Sequence, residues 1–465
     1  MNAIAPAASR ASVRLAAYGD WLRDHAGVVR AVQWIVVAAY LILLAVPAWL
    51  PLPGQDAHAL DNFTVFAQWA FWGLWWPFVL LSMLVAGRTW CGVFCPEGTL
   101  TEAASRVGLQ RAVPRWMRWG GWPFVAFATT TVFGQLVSVY QYAPAALVVL
   151  GGSTVAAIVV GLVYGREKRV WCRHLCPVNG VFSVLARVAP VHFRVDRAAW
   201  ARNAGRIAVH PVNCAPLVRI KRMEGPSECQ MCGRCSGHLG AIALSFRPPN
   251  REVATLADER ASGWDATLIV VGLIGFAIGA FHWSASPWFV QAKLAAAAFV
   301  IDHGPAWLLS DGAPWWLLTH YPEANDVFTW LDGALIVGYI AATAAALSSL
   351  VWACLLVAAG TWRTPRAARA VRLAYALVPL AGLGVFLGLS SLTVTLAKAE
   401  GLPLGAVPAL RVLVLAAGAA WSLRLAWLQL ADAPDRGARV RALLAFACAV
   451  AVVVAAWALL FFGWG

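Results

Sequence analysis

The sequence predicts an all-α polytopic membrane protein of about nine transmembrane helices, with a small α+β polar segment on the cytoplasmic side. Three observations carry this. The 465 residues are 61% hydrophobic and only 12% charged, about half the charged share of a soluble domain. Several apolar runs reach about 20 residues, enough to cross a hydrocarbon core of about 30 Å. The basic residues behind the net charge of +14 sit in particular loops, which is how orientation in a membrane is set. Nucleic acid is therefore not an expected partner; the lipid bilayer of the cell (plasma or inner) membrane is.

The elements follow in chain order. An arm, 1–30, carries Arg10, Arg14, Arg23 and Arg30 and is placed in the cytoplasm. The first apolar run, Ala31 to Leu52, is too long for a signal-peptide core and lacks a small-residue cleavage site, so it reads as a retained helix. Further spans are expected near 63–87, 121–141, 144–165, 264–286, 328–359, 372–397, 406–430 and 442–463. The loop after the second span holds Arg88, Arg106, Arg111, Arg115 and Arg118, and residues 166–262 are dense in Arg and Lys, whereas 52–62 has none and 287–326 only Lys293. These counts place both cysteine-bearing loops inside and the C-terminus on the periplasmic side. The apolar stretch 289–309 is read as re-entrant or interfacial, because a crossing there would put the next basic loop outside. The organisation is then the arm 1–30, a four-helix membrane domain 31–189, a cytoplasmic segment 190–262, and a C-terminal membrane domain 263–465 with a Trp/His-rich outer loop at 287–326. In the polar segment, "VHFRVD", "RIAVHPV" and "AIALSFRP" predict short strands.

The cysteines carry the chemistry. "RTWCGVFCP" and "RVWCRHLCP" repeat one phrase, Arg-x-Trp-Cys-x-x-x-Cys-Pro, each at the end of an apolar hairpin and on the same side, which makes a parallel repeat. Cysteines at i and i+4 share a helical face about 6 Å apart. One repeat offers half a ligand set for a cubane cluster, and two repeats meeting across a pseudo-two-fold axis offer four thiolates: Cys91, Cys95, Cys172 and Cys176. The proline after each second cysteine ends the helix and turns the chain away, and Gly92, Gly98 and Gly180 permit close backbone approach. Arg88, Lys168, Arg169 and Arg173 stand where they would offset cluster charge; positive-inside anchoring explains them equally.

The second set lies in the polar segment. "CQMCGRC" gives Cys229, Cys232 and Cys235, a Cys-x-x-Cys-x-x-Cys loop of the ferredoxin-like 4Fe-4S kind. The Cys-Pro of a ferredoxin run is absent, its place taken by Leu239 and Gly240. Cys214 is the favoured fourth ligand and His238 its rival. A structural zinc on four thiolates is the competing reading. Disulfides are not expected on a reducing side of the membrane. Cys354 and Cys448, alone in late apolar runs, are expected as buried apolar side chains.

The two Cys-x-x-x-Cys-Pro hairpins followed by "CQMCGRC" resemble the NapH/MauN-type membrane polyferredoxins, whose core the NosR-type regulators and CcoG-type assembly proteins share. The resemblance covers roughly residues 30–250. It implies two 4Fe-4S clusters on the eight cysteines and electron flow between membrane quinol and a redox partner protein. The alternative it leaves is a metalloenzyme assembly factor or copper reductase of the CcoG type. A transporter with structural metal sites is the third class considered. The chain departs from the pattern in having one ferredoxin run rather than two, no large periplasmic flavin domain, and about 200 C-terminal residues without a counterpart. In that C-terminal half, His282, His303 and His320 lie among tryptophans. They are candidates for an outer-side redox site or a quinone pocket, with haem or copper the less favoured ligand. No catalytic residue is assigned.

Overall fold

The computed structural model describes residues 10–54, 56–206, 211–360 and 365–464. Among these, eight helices are long and apolar enough to cross a membrane: Ala26–Trp49, Phe63–Ala86, Ala143–Val163, Gly263–His282, Trp330–Ala358, Arg366–Ala399, Val407–Asp432 and Arg436–Gly463. The protein is an all-α polytopic membrane protein with few strands. The remaining expected span, 121–141, is a helix of only 15 residues, Trp122–Leu136, closed by a turn. At 1.5 Å per residue it covers roughly 22 Å, short of the hydrocarbon thickness. The stretch read as interfacial is a 17-residue helix, Pro287–His303, capped by Ser286 and mostly exposed.

The chain forms two compact units, each discontinuous in sequence: Met1–Tyr40, Ser82–Trp119 and Thr154–Glu252 in one, and Leu41–Leu81, Gly120–Ser153 and Val253–Gly465 in the other. The first holds both four-cysteine sets. Its small sheet pairs β1 (Val191–Val195) antiparallel with β2 (Ile242–Phe246), Val191 opposite Phe246. Alternation puts Phe193, Ile242 and Leu244 into a core with Met223, Cys229 and Met231. The strands foreseen in "VHFRVD" and "AIALSFRP" are these two; most of "RIAVHPV" lies outside the described residues. The arm is a helix, Arg10–Asp24. Gly19 brings it so close to β2 that a Cβ would press on Leu244 and the Ser236 hydroxyl. The Ser236 hydroxyl donates to Asp20 (2.8 Å) and Arg23 donates to the Ser236 carbonyl (2.7 Å).

The second unit is a bundle held by small residues at helix crossings, the packing expected in lipid. Gly275 lies against Ala344, Gly279 against Ile340 and Gly418 against Leu380. Asp332 closes a capping box with Thr329 at the start of Trp330–Ala358 and takes Lys293 at 2.6 Å. Arg372 pairs with Asp258 (2.9 Å) and Asp432 (3.3 Å). Cys354 is half-buried and Cys448 exposed, so the expectation of two buried apolar cysteines is corrected: these helices present surface that lipid can cover.

Candidate metal centres

Both repeats build the same turn. The Cys95 N–H donates to the Trp90 carbonyl (2.9 Å), and the Cys176 N–H donates to the Trp171 carbonyl (3.0 Å), each reaching back five residues. In the first repeat this wide turn is a π-type segment, Trp90–Phe94, an element common at functional sites. Cys95 then becomes the N-cap of helix Pro96–Val107, with Pro96 in its first turn and the thiol accepting the Gly98 N–H at 3.4 Å. Proline therefore opens the next helix, where its missing N–H costs nothing. It also aims a helix N-terminus at the sulfur, which favours thiolate.

The four thiols of the repeats converge. Burial raises the Cys95 thiol most, and Cys172 and Cys91 raise it further. Burial likewise lifts Cys176, followed by Glu97, Cys172 and Cys95. Cys172 is pushed up to about 12 by burial, against the pull of Arg169. A metal must displace the protons such thiols retain. Helix Pro96–Val107 is tied to the second hairpin: Leu109 donates to the Leu162 carbonyl at 2.6 Å, and Gly161 admits the Thr101 backbone.

The second set also gathers. Burial raises Cys229, with Cys235, Cys232 and Cys214 adding to it, and Cys235 is pushed up to about 12 by burial, then Cys232 and Cys214. The Met231 N–H donates to the Cys229 sulfur at 3.2 Å, from a residue at φ 53°. Cys214 stands with the other three, and its carbonyl accepts from Lys168 at 3.1 Å. His238 instead lies beside the Trp200 ring, centroids 5.2 Å apart. Among the described residues no three His, Cys, Asp or Glu side chains close tightly enough to hold one metal ion. Four thiolates in each set suit a cubane, where each thiolate takes its own iron. The eight cysteines, as a donor set, fit two such clusters.

The two cysteine loops touch. A Cβ on Gly92 would collide with the Gln230 carbonyl oxygen and meet the Cys232 backbone N at 2.8 Å, so only glycine lets the backbones pack. Arg169, 1% exposed, lies at the same junction, and Arg88 is 2% exposed. Arg88 donates to the Ser227 carbonyl (3.0 Å) and to Asn179 (2.5 Å). These two arginines are buried parts of the site, which anchoring at a membrane surface does not explain. Sequence reasoning passed over Glu102, Glu97 and Gln230. Glu102 is 4% exposed and accepts from Arg169 (2.8 Å) and Arg234 (2.5 Å); Glu97 takes the Trp171 indole N–H at 2.9 Å. An acid within a basic loop was the available signal.

The outer histidines are not brought together. His282 is buried against the Trp464 ring (4.6 Å), His303 stacks on Phe299 (5.3 Å), and His320 pairs with Val327 in a two-residue ladder, β3 (His320–Tyr321) against β4 (Asp326–Val327).

Comparison with known proteins agrees with this geometry. A family described as "4Fe-4S binding domain" matches residues 68–115 and 143–196, the two Cys-x-x-x-Cys-Pro hairpins without the "CQMCGRC" loop. The methylamine utilization ferredoxin-type protein MauN of Methylorubrum extorquens is 27% identical over 156 residues, 30% of this chain and 54% of that protein. The chain thus spans about half the length of this curated relative. No solved structure matches it. The fold is that of a helical membrane protein, and the match places a 4Fe-4S binding domain within it. More narrowly, the matched stretch is similar to a MauN ferredoxin-type protein and carries the 4Fe-4S binding domain.

Proposed function

We propose that this protein is an integral membrane electron carrier, passing electrons between membrane quinol and a redox partner protein through two 4Fe-4S clusters. Cys91, Cys95, Cys172 and Cys176 would hold one, and Cys214, Cys229, Cys232 and Cys235 the other. The single observation that carries this reading is the backbone contact between the two cysteine loops at Gly92. Bound there, the clusters supply one-electron storage at two adjoining sites. The chain's own part is to fix and dry them. Backbone N–H groups of Gly98 and Met231 donate to the sulfurs of Cys95 and Cys229, and burial of Cys91, Cys172, Cys176 and Cys229 excludes water. The quinol end is supported by a cavity of about 410 Å³ in the second unit. Trp72, Tyr140, Trp283 and Phe328 give it aromatic walls, and Gln135 and Asp326 polar points, the mix that binds a ring with polar ends. The Lys/Arg distribution supports a cytoplasmic N-terminus and a periplasmic C-terminus.

Purified anaerobically in detergent, the protein is expected to contain about eight irons and eight acid-labile sulfides per chain. Cys91→Ser and Cys172→Ser are expected to remove the same paramagnetic signal and leave the other. Stoichiometric zinc without iron, or two different signals lost, overturns the reading.

A further inference from the structure

Arg169 has partners in both cysteine loops. Its Nη1 donates to the Cys91 carbonyl at 2.6 Å and to Gln230 Oε1 at 3.4 Å, so one guanidinium nitrogen touches a residue of each cysteine loop. Its backbone N–H donates to the Ala215 carbonyl at 2.8 Å, beside Cys214. Cys172 of the first set and Cys232 of the second both act on its charge. Gly98 clears its path, since a Cβ there would stand 3.2 Å from Nη1. The remaining direction is closed by Glu102, whose Oε2 accepts from Nε at 2.8 Å. Glu102 is itself held by Arg234 at 2.5 Å and approached by Arg106 at 3.6 Å. The equivalent residue of the first repeat, Arg88, turns instead to Ser227 and Asn179. The pseudo-symmetry of the two hairpins is broken at this position.

We propose that Arg169 is a positioning residue shared by both clusters, a buried counter-charge that sets their two potentials together, with Glu102 as the carboxylate that trims its strength. This rests on the two-cluster reading above. Gaining an electron adds one negative charge to either four-thiolate set. A cation fixed between them stabilises that charge on both sides, and does so strongly because the junction is buried and poorly screened. The same cation lowers the cost of holding two reduced sets side by side. A neighbour serving one set alone would leave the other unmoved.

The test is a redox titration of both paramagnetic signals, with iron and sulfide counted on each sample. Arg169→Gln is expected to move both midpoints to more negative values, by a tenfold or larger change in the reduced-to-oxidised ratio at fixed potential, about 59 mV for a one-electron couple. Glu102→Gln, which leaves the cation less neutralised, is expected to move both the opposite way. Arg169→Lys keeps the charge and is expected to stay near wild type. Shifts of one signal only, shifts of the same sign in Arg169→Gln and Glu102→Gln, or unmoved midpoints overturn the proposal while leaving the clusters in place. If Arg169→Gln fails to assemble, the sign in Glu102→Gln decides. Wild-type protein without iron and sulfide fails the underlying reading instead.

Discussion

At the residue scale, the fourth ligand of the second set shows what spacing alone leaves open. "CQMCGRC" names three thiols, and both Cys214 and His238 are within sequence reach of a fourth position. Folding separates them. The Cys214 carbonyl is held by Lys168 in a loop next to the Arg169–Ala215 bond, whereas His238 opens a short turn beside Trp200. A cubane with three thiolates has one labile iron. Cys214→Ala is therefore expected to give a three-iron signal in paramagnetic resonance, and His238→Ala a four-iron spectrum close to wild type. The reverse pattern would make the histidine the ligand.

At the scale of elements, the duplicated phrase made the first four candidate ligands legible: repetition at the ends of two apolar hairpins predicts one shared site, and thiols of the two repeats lie close enough to act on one another. What was not legible is how the two sites adjoin. Gly92 was singled out for close approach, but nothing in the sequence says that the approaching backbone is Gln230 and Cys232, because that contact depends on tertiary folding of the polar segment. Nor does a basic loop reveal that Arg88 and Arg169 are inside while Arg106 faces water at 43% side-chain exposure. Gly92→Ala is expected to wedge the loops apart and destabilise the protein by about 1–3 kcal/mol, the usual cost of overpacking. Its mark would be a lower thermal midpoint and loss of iron from both sets; a variant with wild-type iron and melting would show that the loops tolerate separation.

For the whole molecule, hydropathy read the class and most spans correctly, because length and apolarity are local properties. It overstated 121–141, where Gly121 and a turn after Leu136 shorten the helix. Both cysteine pairs can still meet only if the chain returns between residues 86 and 143. Reporter fusions are expected to place Leu100, Ala215 and Pro365 in the cytoplasm, and Asp56, Trp315 and the C-terminus outside. A cytoplasmic C-terminus would mean that Pro287–His303 crosses or that another helix, such as Trp122–Leu136, does not. The arm adds a consequence in time. Leu22 packs against Gly233, and Arg23 bonds to Ser236, 213 residues further on. At about 5–20 residues per second, a ribosome needs roughly 10–40 s to supply that partner. The clasp over the Cys229 loop is thus synthesised long before the loop it closes, and throughout that interval neither can shield the other.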